Sequence, residues 1–144
     1  MPFISRLGLI FLKMIKITKG SANTVVLTLT EKATLTNPDY LFVFKSDQTE
    51  VEYTFIASDT SLYPERYNEF TVTEKANPDP LQGEVSLPNT KFYSYTIYEQ
   101  NSSTNLDPDN ATGVVETGKV EVFDTPNSDS TYSPQSDINY TYGE

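Results

Sequence analysis

Apolar and polar residues alternate along most of the chain from residue 15 onward, with a period of two. In residues 24–30, Val25, Leu27 and Leu29 fall on one side and threonines occupy most of the other, as in a strand buried on one face. Residues 40–44 are continuously apolar, which predicts a strand covered on both faces. Further strands are predicted at residues 51–58, 67–73, 83–87, 91–99 and 114–123.

Turn-forming residues separate these segments, among them Asn37-Pro38-Asp39 and Pro88-Asn89-Thr90. No stretch has a sustained helical apolar period, and residues 61–68 are predicted to form one helical turn at most. Short strands at this spacing, rich in Thr, Tyr and Val, are typical of two-layered β domains. The fold class is therefore predicted to be all-β: a single antiparallel β-sandwich of about seven to eight strands, Ig-like or jelly-roll-like, with flexible terminal segments.

The strand at residues 91–99 carries aromatic side chains on both faces. Tyr93 and Tyr95 lie opposite Phe92 and Tyr98, so one of the two sets must face something other than the core. Two interpretations stay open: Tyr93 and Tyr95 form an exposed platform for a sugar or a protein, or they form a second apolar cluster under a loop. In the last strand, Gly118 predicts a bulge or a close approach of the backbone.

The pattern divides the chain into an N-terminal extension (residues 1–13), a β-sandwich domain (14–123) and an acidic tail rich in Ser, Thr and Tyr (124–144). The apolar run at residues 7–12 is too short to cross a bilayer, which takes about twenty residues. Either Met14 is the natural start, or residues 1–13 form an arm that docks on a partner. The tail is either disordered or lies over a neighbouring subunit, with Tyr132, Tyr140 and Tyr142 as anchors.

The chain contains neither histidine nor cysteine, which excludes Ser-His-Asp and Cys-His catalysis, thiolate zinc sites and disulfides. We therefore expect a protein that is not an enzyme, with no catalytic residue, cofactor or metal. Residues 20–144 hold six Lys or Arg against twenty Asp or Glu, a balance of −14. An acidic body repels phosphate backbones, so neither a nucleic acid nor a membrane is expected as a partner. A carboxylate pair for glycoside hydrolysis is a weak alternative, and its candidates are Glu50, Glu52, Asp59, Glu65, Glu69 and Glu74.

The fourteen residues 100–113 join the two longest predicted strands. Connections this long in a compact domain are usually functional or disordered. Asp107-Pro108-Asp109-Asn110 resembles a calcium loop, but Ala111 and Thr112 break the EF-hand pattern, so an Asx turn is favoured and an irregular calcium site stays open. The loop is predicted to be a contact surface. With the tyrosines named above, the candidate interaction residues are Tyr93, Tyr95, Gln100, Asn101, Asn105, Leu106, Asp107, Asp109, Asn110, Tyr132, Tyr140 and Tyr142.

Three stretches carry a resemblance. They are residues 26–38 (Val-Leu-Thr-Leu-Thr-Glu-Lys-Ala-Thr-Leu-Thr-Asn-Pro), residues 55–59 (Phe-Ile-Ala-Ser-Asp) together with 66–70 (Arg-Tyr-Asn-Glu-Phe), and residues 98–108 (Tyr-Glu-Gln-Asn-Ser-Ser-Thr-Asn-Leu-Asp-Pro). Taken in order, they resemble small capsid-associated, auxiliary virion proteins of tailed bacteriophages that infect Bacteroidota, crAss-like phages included. The resemblance covers roughly residues 14–123 and defines no active site.

The resemblance implies an auxiliary or decoration component of a capsid, present in the virion and produced in the cytoplasm of the bacterial host. Its partners would be other virion proteins: the major capsid protein, or neighbouring copies of this chain in a homo-oligomer. Contacts would be made by residues 100–113 and the termini. The alternative is a carbohydrate-binding or adhesin module that uses Tyr93, Tyr95 and the same loop against a glycan.

Overall fold

A computed structural model describes residues 14–88 and 90–124. Eight strands follow one another along the chain. They are β1 (Met14–Thr18), β2 (Ala22–Leu27), β3 (Asp39–Ser46), β4 (Glu52–Ala57), β5 (Asn68–Glu74), β6 (Glu84–Val85), β7 (Phe92–Gln100) and β8 (Gly113–Phe123). Two short 3₁₀ turns, Pro80–Gln82 and Pro108–Asn110, precede β6 and β8. The described part of the chain is thus all-β, as the alternating pattern predicts.

The strands form two sheets. The larger has the order β1-β8-β7-β3-β4 and the smaller the order β2-β5-β6. Both sheets are mixed, because β1 runs parallel to β8 and β5 runs parallel to β6, while the other pairs are antiparallel. The prediction of a purely antiparallel arrangement is therefore wrong. Alternation along a strand reports which side chains are buried, but it carries no information about the direction of the neighbouring strand.

One apolar core receives side chains from every strand of both sheets. Tyr40 and Phe42 of β3 meet Phe70 of β5 edge to face, at ring-centroid distances of 5.7 and 5.1 Å, and these contacts join the two sheets. Leu41 and Val43 point to the other face of β3 and are also buried, so the prediction that this strand is covered on both faces is confirmed.

Two local predictions need correction. The strand predicted at residues 24–30 ends at Leu27, because the N–H groups of Leu29 and Thr30 are bonded to the Asn68 side chain instead of to a neighbouring strand. The bulge predicted at Gly118 lies three residues earlier. In the pairing of β7 with β8, Tyr98 is opposite Val114 and Ile97 is opposite Glu116, which leaves Val115 as the extra residue.

Residues 61–68 contain the single helical turn that the sequence allows, closed by hydrogen bonds from the N–H groups of Arg66 and Tyr67 to the Tyr63 carbonyl. The expectations for residues 1–13 and for the tail, with Tyr132, Tyr140 and Tyr142, lie outside the described residues. No helix in the described part of the chain is long and apolar enough to cross a membrane.

Candidate functional site

Three long loops lie at the same end of the molecule, here called the loop end. Loop 28–38 joins β2 to β3, loop 58–67 joins β4 to β5, and loop 101–112 joins β7 to β8. The register of the strands places them together. The first residues of β3 pair with the last residues of β4 and of β7. Likewise, the first residues of β5 pair with the last of β2, and the first of β8 pair with the last of β7. The long loop singled out by the sequence is therefore one of three neighbours.

A groove with a volume of about 610 Å³ opens at the loop end between loops 28–38 and 58–67. That volume falls within the range of roughly 300–1,000 Å³ that is usual for ligand sites. Its described lining includes three carboxylates and no Lys or Arg. The lining residues are Thr30, Ala33, Leu35, Thr36, Asn37, Pro38, Asp39, Tyr40, Ala57, Ser58, Asp59, Ser61, Pro64, Glu65 and Asn68.

Asn68, at the start of β5, ties the two loops of the groove together. Its Oδ1 accepts hydrogen bonds from the N–H groups of Leu29 (2.6 Å) and Thr30 (3.2 Å). Its Nδ2 donates to Thr30 Oγ1 (3.0 Å) and to Asp59 Oδ2 (2.7 Å). These four bonds use the whole hydrogen-bonding capacity of a carboxamide, so this buried side chain fixes loop 28–38 against loop 58–67.

Asp59 is held by neutral donors. Its Oδ1 accepts from the N–H groups of Ser61 (2.9 Å) and Glu69 (3.0 Å), and its Oδ2 accepts from Asn68. Neutral donors orient a carboxylate without compensating its charge. Nearby, burial raises the pKa of the Tyr40 hydroxyl, and the charges of Asp59 and Glu99 act in the same direction. A hydrogen bond to Thr30 acts to lower this pKa but does not outweigh them. The phenol at the groove therefore stays neutral.

Glu99, near the end of β7, fastens the other side of loop 28–38. Its carboxylate accepts from the N–H groups of Thr34 (2.9 Å) and Leu35 (2.9 Å) and from the Thr34 hydroxyl (2.7 Å). Burial acts to raise the pKa of this carboxyl, but the hydrogen bonds from Thr34 and Leu35 together outweigh it and lower the pKa. Glu99 is thus a structural anchor for loop 28–38.

A second buried acid, Glu116, holds the same loop from β8. Its carboxylate accepts from the Tyr95 hydroxyl (2.5 Å) and pairs with the Lys32 ammonium (2.6 Å). Burial, followed by the contact with Glu116, raises the pKa of the Tyr95 hydroxyl far above its ordinary value. The carboxylate is therefore bonded to a neutral phenol in the core and to a partly exposed cation at the surface.

Loop 101–112 is ordered by its own polar side chains. Gln100 donates from Nε2 to the carbonyls of Ser102 and Asn105 (both 3.0 Å) and accepts from Asn105 Nδ2 (2.8 Å). Ser102 Oγ accepts from the N–H groups of Thr104 and Asn105. These hydrogen bonds make the loop a compact unit. Of the two interpretations of its length, they favour a functional loop over a disordered one.

Asp107 begins the short 3₁₀ turn in this loop. Its Oδ1 accepts from the N–H group of Asp109 (3.0 Å), which is the geometry of an Asx turn, and its Oδ2 accepts from Asn110 Nδ2 (3.4 Å). Among residues 14–88 and 90–124, no group of three or more Asp, Glu, His or Cys is arranged to hold a metal ion. The favoured Asx-turn interpretation accounts for these residues.

The structure divides the predicted contact residues into two groups. Tyr93 and Tyr95 lie in the core, and Gln100 is buried under the loop, so these three cannot contact a partner, which corrects the platform interpretation. Phe92, on the opposite face of β7, is exposed instead. The remaining predicted residues of the loop reach the surface. Asn101, Asp107, Asp109 and Asn110 are exposed, and Asn105 and Leu106 are half-buried.

The most exposed apolar pair at the loop end is not among the predicted contact residues. Leu62 is 82% exposed and Tyr63 is 54% exposed, and both lie between Ser61 and Pro64, which line the groove. The sequence does contain a signal for this exposure, because Leu62 and Tyr63 lie in a segment of turn-forming residues, where no neighbouring strand buries apolar side chains. Of the six hydrolase candidates, only Asp59 and Glu65 line the groove, and Glu74 is used to accept from the N–H groups of Gly20 and Leu87.

Comparison with protein families, curated proteins and solved structures found no match to this chain.

Proposed function

We propose that this chain is a non-enzymatic binding domain of Ig-like connectivity that contacts a protein partner through its loop end. In this proposal it acts as an auxiliary or decoration component of a virion. The contact surface comprises the groove, the exposed pair Leu62 and Tyr63, and the outer residues of loop 101–112. The rest of the domain serves as a rigid support that positions these loops.

The strand order supports the Ig-like form of the sandwich over the jelly roll. In Ig domains the second strand pairs with the strand called E, and the third strand pairs with F, which in turn pairs with G. Here β2 pairs with β5, β3 with β7, and β7 with β8, while β4 extends the larger sheet beyond β3. In antibody variable domains, the loops at the corresponding end are the ones that bind antigen.

The observation that carries the binding proposal is the exposure of Leu62, which follows the groove residue Ser61 in the chain. A partner surface that covers this leucine and the neighbouring tyrosine gains roughly 25 cal/mol per Å² of apolar area removed from water. The hydrogen bonds of Asn68 and Glu99 hold the adjacent loops in place before binding, which reduces the entropy lost on association.

The resemblance to capsid-associated proteins supports a place in a particle. A decoration protein is repeated many times on a lattice, so a weak contact per copy gives firm attachment through avidity. A small patch centred on two apolar side chains fits such a contact better than a tight one-to-one complex.

Cosedimentation with intact particles of the parent phage tests this proposal. The purified chain should sediment with the particles, and Leu62→Ser together with Tyr63→Ser should reduce the bound amount at least about five-fold, because both apolar anchors are lost. Val51→Ser is the matched control, since Val51 is 48% exposed next to β4 at the opposite end of the molecule. Equal binding by all three proteins would refute a loop-end contact, and no sedimentation of the wild type would refute the virion role.

A glycan ligand is the second candidate, favoured by the polar lining of the groove. Asn37, Ser61 and Glu65 place carboxamide, hydroxyl and carboxylate groups around a volume suited to a short sugar. A glycan array and thermal melting in the presence of neutral oligosaccharides decide between the two. A sugar-dependent rise in Tm that Glu65→Ala abolishes would favour the adhesin function over the structural one.

A further inference from the structure

The loop end also indicates the chemistry of its partner. Resting on the function proposed above, we infer that the segment entering the groove is a cationic, extended piece of protein in which Lys or Arg alternates with apolar residues. Its charged groups face Asp39, Asp59 and Glu65, and its apolar groups pack against Leu62 and Tyr63. Neither the strand pattern nor the proposed binding role specifies this chemistry.

Within the described residues, no acid of the groove belongs to an ion pair. The three ion pairs found in that part of the chain join Lys32 to Glu116, Lys75 to Glu84 and Lys119 to Asp47, and none of them includes an acid of the groove. Three carboxylates in one concave site concentrate negative potential, because the walls of a cleft focus field lines. A cationic segment is attracted to this site, whereas a phosphate backbone or an acidic glycan is repelled.

Asp59 is the carboxylate best prepared for such a partner. Its three donors are the N–H groups of Ser61 and Glu69 and the amide of Asn68, and they fix the orientation of the carboxylate. Asp59 belongs to none of the ion pairs found among the described residues. A carboxylate already ordered by neutral donors loses little entropy when an ammonium or guanidinium group arrives. Arg66, the cation of loop 58–67, is not part of the groove lining, but it lines a neighbouring recess together with Glu65.

Apolar side chains lie both inside the groove and beside it. Leu62 and Tyr63 stand beside Ser61 and Pro64 of the lining, and Ala33, Leu35 and Ala57 contribute apolar surface inside the groove. The carboxylates thus line the groove, whereas the two exposed apolar side chains, Leu62 and Tyr63, belong to a segment beside the lining. In an extended segment, successive side chains point to opposite sides. Alternating cationic and apolar residues therefore allow one face of the segment to meet the acids and the other to pack against Leu62 and Tyr63.

Calorimetric titration of the full chain with short synthetic peptides tests this inference. The main probe alternates lysine with leucine, the second replaces lysine with glutamate, and the third replaces leucine with serine. The lysine–leucine peptide should bind at least about ten-fold more tightly than either of the others. Its affinity should fall as salt is raised from low ionic strength to about 0.5 M, because partly exposed charge pairs are screened.

Glu65→Lys should weaken the lysine–leucine peptide about three- to ten-fold, because it removes one attraction and adds a repulsion. Glu52→Lys is the matched control, since Glu52 is an exposed acid at the start of β4, away from the loop end. Equal weakening by the two variants would show non-specific attraction to an acidic protein and would overturn the inference. If no peptide binds while Leu62→Ser still lowers cosedimentation, the cationic partner is refuted and the loop-end contact stands.

Discussion

Replacing Asn68 by alanine should destabilise the protein more than any other single loss of a polar side chain at the groove. The change removes the acceptor of the buried Leu29 N–H and one charge-assisted bond to Asp59. A buried donor left without a partner costs about 1–3 kcal/mol, and a hydrogen bond to a charged group contributes about 1.5–3 kcal/mol. The Thr30 N–H lies nearer the surface and can bond to water. The expected loss in the free energy of unfolding, the sum of these two contributions, is therefore about 2.5–6 kcal/mol.

Urea unfolding at neutral pH, followed by far-UV circular dichroism, measures this loss. Asn110→Ala is the control, because Asn110 is exposed and its side chain makes a single long bond of 3.4 Å to Asp107. That variant should remain within about 0.5 kcal/mol of the wild type. If Asn68→Ala were no more destabilising than Asn110→Ala, Asn68 would not be the tie between the two loops.

Asn68→Asp separates the loss of hydrogen bonds from simple loss of packing. The aspartate keeps an acceptor for Leu29 and Thr30 but turns a carboxylate oxygen toward Asp59, across the 2.7 Å now occupied by a hydrogen bond. Two carboxylates at that distance repel, and protonation of one of them relieves the repulsion. The destabilisation relative to the wild type should shrink as pH falls from about 7 toward 5. A deficit independent of pH would contradict the proposed orientation of the Asn68 amide.

Three further predictions concern the framework that supports the loops. Tyr95→Phe should lower the free energy of unfolding by about 1.5–3 kcal/mol, because it removes a donor from the buried Glu116 carboxylate. Adding Glu116→Leu should recover part of that loss, because no buried carboxylate is then left without its donor. Strictly additive losses in urea unfolding would argue against the contact. Because the pKa of Glu99 is lowered in the folded state, its contribution to stability is complete above the ordinary value of about 4.3 and is lost as pH falls through the folded value. Glu99→Gln should therefore be less stable at pH 7 yet lose less stability between about pH 5 and 3, and a parallel pH profile would disprove this role. Gly83 has a φ of +74°, and a Cβ there would lie 2.8 Å from a backbone carbonyl oxygen of β5. Gly83→Ala should therefore lower the free energy of unfolding by about 1–3 kcal/mol, measured by thermal melting. Gly113→Ala, with nothing within 4 Å of its Cβ, should have little effect, and equal losses at the two glycines would refute the steric argument.

The strand pattern of the sequence was informative wherever one face of a strand is buried. Phe70 and Val72 lie in the core as their alternation predicts, and all the apolar residues at positions 40–44 are buried. The pattern was uninformative in β7, where aromatic residues occupy both faces. Tyr93 and Phe92 are equally able to fill a core, and only the packing of the second sheet decides which of them does so.

The candidate site was predicted in part. Residues 100–113 were recognised by their length, and they do lie at the loop end, but loops 28–38 and 58–67 were not expected beside them. Glu99 and Asn68 gave no sign of their roles, because the groups that they bind are N–H groups distant in the sequence, such as Leu29 and Thr34. A one-dimensional pattern does not report long-range hydrogen bonds.

The sequence by itself determined that this chain is a β protein, roughly where its strands lie along the chain, and that histidine- and cysteine-dependent chemistry is excluded. These properties follow from local alternation and from composition, which need no knowledge of neighbours in space. Only the tertiary structure decided the parallel pairing of β1 with β8, the burial of Tyr93 and Tyr95, and the placement of three loops at one end, two of which enclose an acidic groove. Each of these depends on which strands lie side by side, and that is set by the packing of both sheets on one core.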